Sequence, residues 1–333
     1  MKSKTKKIIA GSALAAVGLA GAAAVSHSIT DYLMRVALDR NAPKSLVKNQ
    51  DKMMGNEANR ELVAMLKNAS EQLEAKVTEK VEITAQDGTR LVGHWWPCDN
   101  PKRVVVAMHG WRSSWSLDFG TIADFWHDSG CSILIAEQRG QGESGGDYMG
   151  FGLTERYDCR DWIEWVNEKT DKVYPIYLGG VSMGATTILM SAGLELPDNV
   201  AGIVADCAFT SPYAIWKHVV EDNLHLSYGI RRAAADALCR RKINMKAKEY
   251  TTMEALKNTT IPVLFIHGSD DHFVPIEMTY ENYKACASEK RLLVVPGAEH
   301  AMSYIVDKEK YEEAIRRFWQ EQDEKYANIR MLG

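Results

Sequence analysis

Short runs of valine, isoleucine and leucine alternate with longer helical stretches over most of this chain, and that alternation leaves few folds open. The apolar runs are Arg103–Met108, Cys131–Ala136, Ile176–Gly180, Val200–Asp206, Pro262–His267 and Arg291–Val295. The helical stretches are Ser116–Ser129, Thr154–Glu168, Met183–Leu194, Ile276–Ala287 and Lys308–Glu324. Strands that are apolar throughout and separated by helices belong to a parallel sheet buried on both faces. Upstream, Val81, Ile83 and the stretch Leu91–Trp95 flank Asp87-Gly88, a hairpin turn signal. The segment from Cys207 to Asn258 breaks the alternation. It carries Trp216, Tyr228 and several helix-like pieces but no convincing strand, and reads as a helical cap inserted between two strands. Sheets of this kind bind ligands outside the carboxyl ends of their strands, so functional residues are expected there.

Composition narrows the function classes. Of 333 residues, 46% are hydrophobic and 25% charged, an ordinary globular balance. A net charge of -4 gives no reason to expect a nucleic-acid partner. The chain has no His-Glu-x-x-His, no zinc-type Cys/His spacing and no G-x-x-x-x-G-K-[ST] loop. No metal or organic cofactor is expected. Cys98, Cys131, Cys159, Cys207, Cys239 and Cys286 are scattered, most of them in apolar segments, and read as small buried hydrophobes.

The N-terminus bears on location. Lys2, Lys4, Lys6 and Lys7 precede an uncharged, Ala- and Gly-rich run from Ile8 to Val25, with Ala22-Ala23-Ala24 as a cleavage-like site. Residues 1–27 therefore read as a signal peptide or membrane anchor. The cationic start would stay in the cytoplasm, so the protein is expected to be membrane-associated or exported, with its remainder outside. Residues 28–79 read as a helical extension. It comprises Ile29–Arg40, with Tyr32, Leu33, Val36 and Ala37 on one face, and Asn59–Val77. Residues 80–206 and 259–333 form the main domain, and 207–258 the cap.

Gly180-Val181-Ser182-Met183-Gly184 lies between an apolar run and a helical stretch. That is the setting of a nucleophile elbow, in which a serine on a strained strand-to-helix turn points its hydroxyl away from the backbone. The chain passes very close on either side, so small residues are required two positions away, where Gly180 and Gly184 stand. Serine is a weak nucleophile at neutral pH and needs a base, and the base needs an orienting group. His300 follows the last apolar run through Pro296-Gly297-Ala298-Glu299, while His218 and His225 fall in the cap. For the acid, Asp270 and Asp271 both follow Pro262–His267, and Asp206 ends an earlier run; spacing alone does not choose among them. The backbone N–H groups of Met183 and Trp111 are the candidate oxyanion donors. The Gly-rich stretch Arg139–Gly146 is not followed by the helix of a phosphate loop, and reads as a rigid turn shaping the floor of the site.

Taken together, these motifs resemble bacterial α/β hydrolases of the serine aminopeptidase-like and dipeptidyl-peptidase-like group. The matching pieces are His109-Gly110-Trp111, Arg139–Gly146, Gly180–Gly184, the His267-Gly268-x-x-Asp271-x-x-Val274-Pro275 run and Gly297–His300, all in the expected order. The resemblance implies an α/β-hydrolase fold: a mostly parallel central sheet, helices on both faces and an inserted helical cap. It also implies that Asp271 is the triad acid and His300 the base. Some relatives carry Tyr after His-Gly; Trp111 stands there instead, so only its backbone is carried over.

The expected activity is acyl transfer from an ester, thioester or amide of a small-molecule acyl substrate, by way of an acyl-enzyme on Ser182. One rival reading is a peptidase acting on short peptides, with Glu221 and Asp222 as candidates to hold a free amino terminus. Another is a non-catalytic binding protein on the same scaffold. The cap's apolar groups are expected to line an acyl pocket, and Arg231, Arg232, Arg240, Arg241, Lys242, Lys246 and Lys248 to fall on its outer face.

Overall fold

The computed structural model describes residues 25–41 and 57–332. The run Ile8–Val25 lies outside them up to residue 24, and with it most of the expected leader. Among the described residues no helix is long and apolar enough to cross a membrane.

Eight strands form one sheet: β1 Glu79–Thr84, β2 Arg90–Trp96, β3 Arg103–Met108, β4 Cys131–Ala136, β5 Ile176–Val181, β6 Val200–Asp206, β7 Val263–Gly268 and β8 Lys290–Val295. Their order is β1-β2-β4-β3-β5-β6-β7-β8. β1 pairs antiparallel with β2 and β2 with β4, while all other pairings are parallel. Every residue of β3, β4 and β7 is buried. Because side chains alternate across a strand, β3 feeds two cores. Val104, Val106 and Met108 pack with Trp162 on one face, and Val105 and Ala107 with Trp126 on the other. This is why the strands read as continuous apolar runs. The edge strand β1 alternates between half-buried and exposed positions instead.

Two helical spans differ most from expectation. Ser116–Ser129 is not one helix but two, Trp115–Phe119 and Ala123–Asp128. The break falls at Gly120, where a Cβ would sit 2.7 Å from the backbone of Ala69. The helix Glu57–Lys76 crosses too closely for any other residue, and Ser70 Oγ, Ser116 Oγ and Glu74 Oε1 join it to the first piece through bonds of 2.8 and 2.6 Å. The last helix runs to Leu332 rather than Glu324. The cysteines are free, five of them buried and Cys98 half-buried.

A third apolar cluster lies beyond the carboxyl ends of the strands. It joins Met34 and Leu38 of a helix over 25–38 to Met183, Phe151 and the cap residues Ile215, Trp216 and Tyr228. The cap is built of helix Pro212–His218, the π-turn Val219–Asn223, helix Tyr228–Ile243 and helix Thr252–Leu256. Ser211 starts it by accepting the Ala214 N–H (3.1 Å), with Pro212 in the first turn where its missing N–H costs nothing. The cap's basic residues do not all face outward. Lys242 is buried against Asp39, 2.5 Å away, and Arg231 is only 8% exposed.

Candidate active site

β5 runs into the helix Met183–Ser191 through Ser182, whose φ of 55° and ψ of -116° place a non-glycine residue in strained backbone. A Cβ at Gly184 would lie 1.8 Å from the Met108 carbonyl oxygen, and one at Gly180 would lie 2.7 Å from the Ala185 nitrogen. The flanking glycines are therefore demanded by backbone passing backbone. The strained turn carries the Ser182 hydroxyl to His300, whose Nε2 lies 2.9 Å from Oγ.

The loop after β8 supplies His300, and the loop after β7 supplies the carboxylate. His300 Nδ1 lies 2.7 Å from Asp271 Oδ2. Asp271 Oδ1 accepts the N–H groups of Phe273 (2.9 Å) and Val274 (2.8 Å), and His267 Nε2 lies 3.2 Å from Oδ2. Burial alone would raise the Asp271 pKa, but the bonds from His267, His300 and Val274 hold it well below the usual carboxylate range. Asp270 is exposed and bonded to Ser269 Oγ (2.6 Å). Asp206 takes its hydrogen bonds from Tyr311 Oη (3.0 Å) and Ser303 Oγ (3.4 Å) rather than from the histidine. Of three carboxylates open to the sequence, Asp271 is the one the fold brings to His300. His218, a rival histidine, is taken by Asp222 at 2.8 Å. The contact of His267 with Asp271 was not foreseen; its spacing of four residues from Asp271 is the signal that could have shown it.

Cys207, Asp271 and His300 also lie close enough together to suggest a metal site. Their chemistry argues otherwise. Burial pushes the Cys207 thiol pKa well up, so a metal would have to displace its proton, and both other residues are committed to hydrogen bonds.

A family model described as serine aminopeptidase, S33, matches residues 99–249. The protein YqkD of Bacillus subtilis is 28% identical over 229 residues, covering 68% of this chain and 73% of its own. Esterase Pf2001 of Pyrococcus furiosus superposes with a TM-score of 0.62 at 21% identity, over 75% of this chain and 93% of that one. Est1E of Butyrivibrio proteoclasticus, solved with ferulic acid bound, gives a TM-score of 0.53 at 20% identity, over 73% and 98%. The chain has the α/β-hydrolase fold of these esterases, and residues 99–249 are similar to the serine aminopeptidase family.

In this chain the loop after β3 is tied down from several sides. His109 is buried with its pKa lowered by burial; its Nδ1 lies 2.8 Å from the Gly110 carbonyl, and its Nε2 accepts the Gln138 N–H at 3.1 Å. Gly110 N–H donates to Asp118 Oδ2 at 2.6 Å. The next two residues reach the helix over 25–38. Trp111 Nε1 donates to the Ala37 carbonyl (2.8 Å), and Arg112 donates to the carbonyls of Val36 and Asp39 (both 2.7 Å), occupying acceptors that a helix C-terminus leaves open. Gln141 of the Gly-rich turn accepts the Arg112 N–H at 2.6 Å, and Arg40 donates back to the carbonyls of Gly142 and Ser144, each at 2.5 Å. The turn is thus hydrogen-bonded to both Arg40 and Arg112, and the N-terminal extension is fastened to the same loop as Trp111.

Above this loop lies a cavity of about 420 Å3, lined among others by Leu33, Ala37, Trp111, Phe151, Trp216 and Phe273. Phe273 packs edge-on against the His300 ring, centroids 5.0 Å apart, so the cavity adjoins His300. Its walls come from the cap, the loop after β3 and the helix over 25–38. The part played by that helix was not legible in the sequence.

Proposed function

We propose that this α/β hydrolase is a serine esterase, cleaving short-to-medium acyl esters through an acyl-enzyme. The observation that carries the reading is His300, bonded to Ser182 through one ring nitrogen and to Asp271 through the other. The carboxylate fixes the tautomer with hydrogen on Nδ1, leaving Nε2 free to take the serine proton as Oγ attacks the carbonyl carbon. The resulting imidazolium is stabilised by Asp271 and returns its proton to the leaving alkoxide. The oxyanion is held by the N–H groups of Met183, at the open N-terminus of its helix, and Trp111. Water, deprotonated by the same histidine, then releases the acid. Similarity of fold to an esterase supports the ester class, and the apolar cavity supports an aliphatic acyl group. Glu221 and Asp222, the residues a peptidase would use for an amino terminus, are engaged locally: Glu221 accepts the Tyr228 N–H (3.2 Å) and Asp222 pairs with His218.

The test is kcat/KM on p-nitrophenyl esters of increasing length, set against aminoacyl p-nitroanilides. Each buried methylene contributes roughly 0.8 kcal/mol, or about fourfold, until the chain outgrows the cavity. A maximum at short-to-medium length is expected. Trp216→Ala, which removes a 7%-exposed ring from the wall, should move that maximum to longer chains. A flat profile, or higher values on the anilides, would transfer the protein to the peptidase reading. As part of the same proposal, the Lys-rich start and the Ile8–Val25 run hold the full chain at the membrane or export it, with the catalytic domain outside the cytoplasm. Truncation before Ser28 keeps Leu33, Met34 and Ala37 and should give a soluble, active enzyme. Recovery of the full-length chain wholly in the cytosolic fraction would remove the anchor.

A further inference from the structure

The cavity is largely apolar, and one of its walls carries a charge. Arg231, on the helix Tyr228–Ile243, lines it while only 8% exposed. Its Nη1 donates to the Ser227 carbonyl at 2.7 Å, and its Nε has no hydrogen-bond partner. Among the described residues no carboxylate pairs with it. Asp236 lies 3.8 Å from the neighbouring Arg232, and Glu221 lies 3.7 Å from Lys217. Two more buried donors in residues lining the cavity lack partners: the Tyr228 hydroxyl, three residues back on the same helix face, and the Trp216 indole N–H. A guanidinium cannot shed its charge, and a buried charge without a counter-ion is costly. An aliphatic side chain at position 231 would complete an apolar pocket without that cost.

We propose that Arg231 binds a carboxylate at the far end of the acyl group, so that the substrates are half-esters of aliphatic dicarboxylic acids. The inference rests on the esterase reading and adds the substrate class. The scissile carbonyl sits at Ser182, the methylene chain passes Trp111 and Phe273 into the cavity, and the second carboxylate meets Arg231. A carboxylate suits the wall because it brings one charge to one cation. A phosphate would bring more charge and a third oxygen to the same single cation.

The test compares mono-p-nitrophenyl esters of adipic, suberic and sebacic acids with p-nitrophenyl hexanoate, octanoate and decanoate. At one or more lengths the wild type should favour the charged member. Arg231→Met should lower the charged-to-neutral ratio of kcat/KM at least tenfold, chiefly through KM, and Arg231→Lys should retain part of it. The ratio is internal to each variant, so partial loss of folded protein cancels. Moving the carboxylate to the leaving group, as in the octanoyl ester of 4-hydroxybenzoate, should give no Arg231-dependent gain; a gain there means that the alcohol occupies the cavity, and overturns the proposal. A ratio unchanged by Arg231→Met overturns it too. In parallel, Ser182→Ala is titrated with free suberate and octanoate by calorimetry, with and without Arg231→Met. If the wild type cleaves no ester yet suberate binds in an Arg231-dependent way, the esterase reading fails and the carboxylate site stands. If esters are cleaved but suberate binds no better than octanoate, the reverse holds.

Discussion

Replacing Ser182 with alanine is expected to abolish fluorophosphonate labelling and to lower kcat by a factor on the order of 10⁴ or more. The expectation follows from how little else the hydroxyl does. Oγ lies 2.9 Å from His300 Nε2, while the residue's backbone is held independently, its N–H donating to the Asp206 carbonyl at 2.9 Å. Alanine adds no atom to a turn that is already crowded at Gly180 and Gly184. The variant should therefore fold with nearly the wild-type Tm, and the loss can be assigned to chemistry. Ser113, in the loop after β3, is a useful internal control. Its hydroxyl bonds to Asp118 Oδ1 at 2.5 Å, a carboxylate with no histidine relay. Labelling that persists in the Ser182→Ala protein, at Ser113 or any other serine, would overturn the assignment of the nucleophile.

The sequence carried this strand-serine-helix turn because its signal is local. Strand, serine and helix are contiguous, and the two glycines answer a steric demand met within a few residues. The same holds for β3, β4 and β6, whose expected and observed bounds coincide because burial on both faces leaves an unbroken apolar run. What escaped the sequence depends on partners far along the chain. Gly120 breaks a helix because Ala69 passes beside it, and nothing near Gly120 records that. Arg231 and Lys242 were placed outside because charged helix residues usually are; Lys242 turns inward to meet Asp39, some two hundred positions away. Helical periodicity gave the helix over 25–38 an apolar face but not that face's partner. The acid was intermediate: three carboxylates end strands at the right edge, and only the family pattern, later matched by geometry, separated them.

That separation gives the sharpest contrast between two substitutions of the same kind. Asp271→Asn is expected to lower kcat by roughly 10³–10⁴, the range for losing the orienting carboxylate of such a triad. The amide oxygen can keep the bonds from the Phe273 and Val274 N–H groups. The amide nitrogen then faces His300 Nδ1 as a donor. The imidazole must turn that nitrogen into an acceptor, which puts its hydrogen on Nε2, and a protonated Nε2 cannot take a proton from Ser182. Asp206→Asn should cost less than tenfold, since Asp206 is bonded to Tyr311 and Ser303 and not to His300. Its effect should appear in stability instead. Burial, partly offset by His267, Tyr311 and His300, raises the Asp206 pKa to about 6. A folded pKa above the unfolded value means that the folded state holds the proton more tightly. The contribution is complete below about pH 4 and is lost as pH rises to about 6, a change on the order of 3 kcal/mol. Asparagine removes that limb, so urea unfolding at pH 4.5, 6 and 8 should show a flatter profile in Asp206→Asn than in wild type. Asp271, with its lowered pKa, acts with the opposite sign: its contribution is present above about pH 4 and lost below, so the two windows do not overlap. If Asp206→Asn proves the more damaging to turnover, the orienting acid comes from β6, and Asp271 serves only to close the loop after β7.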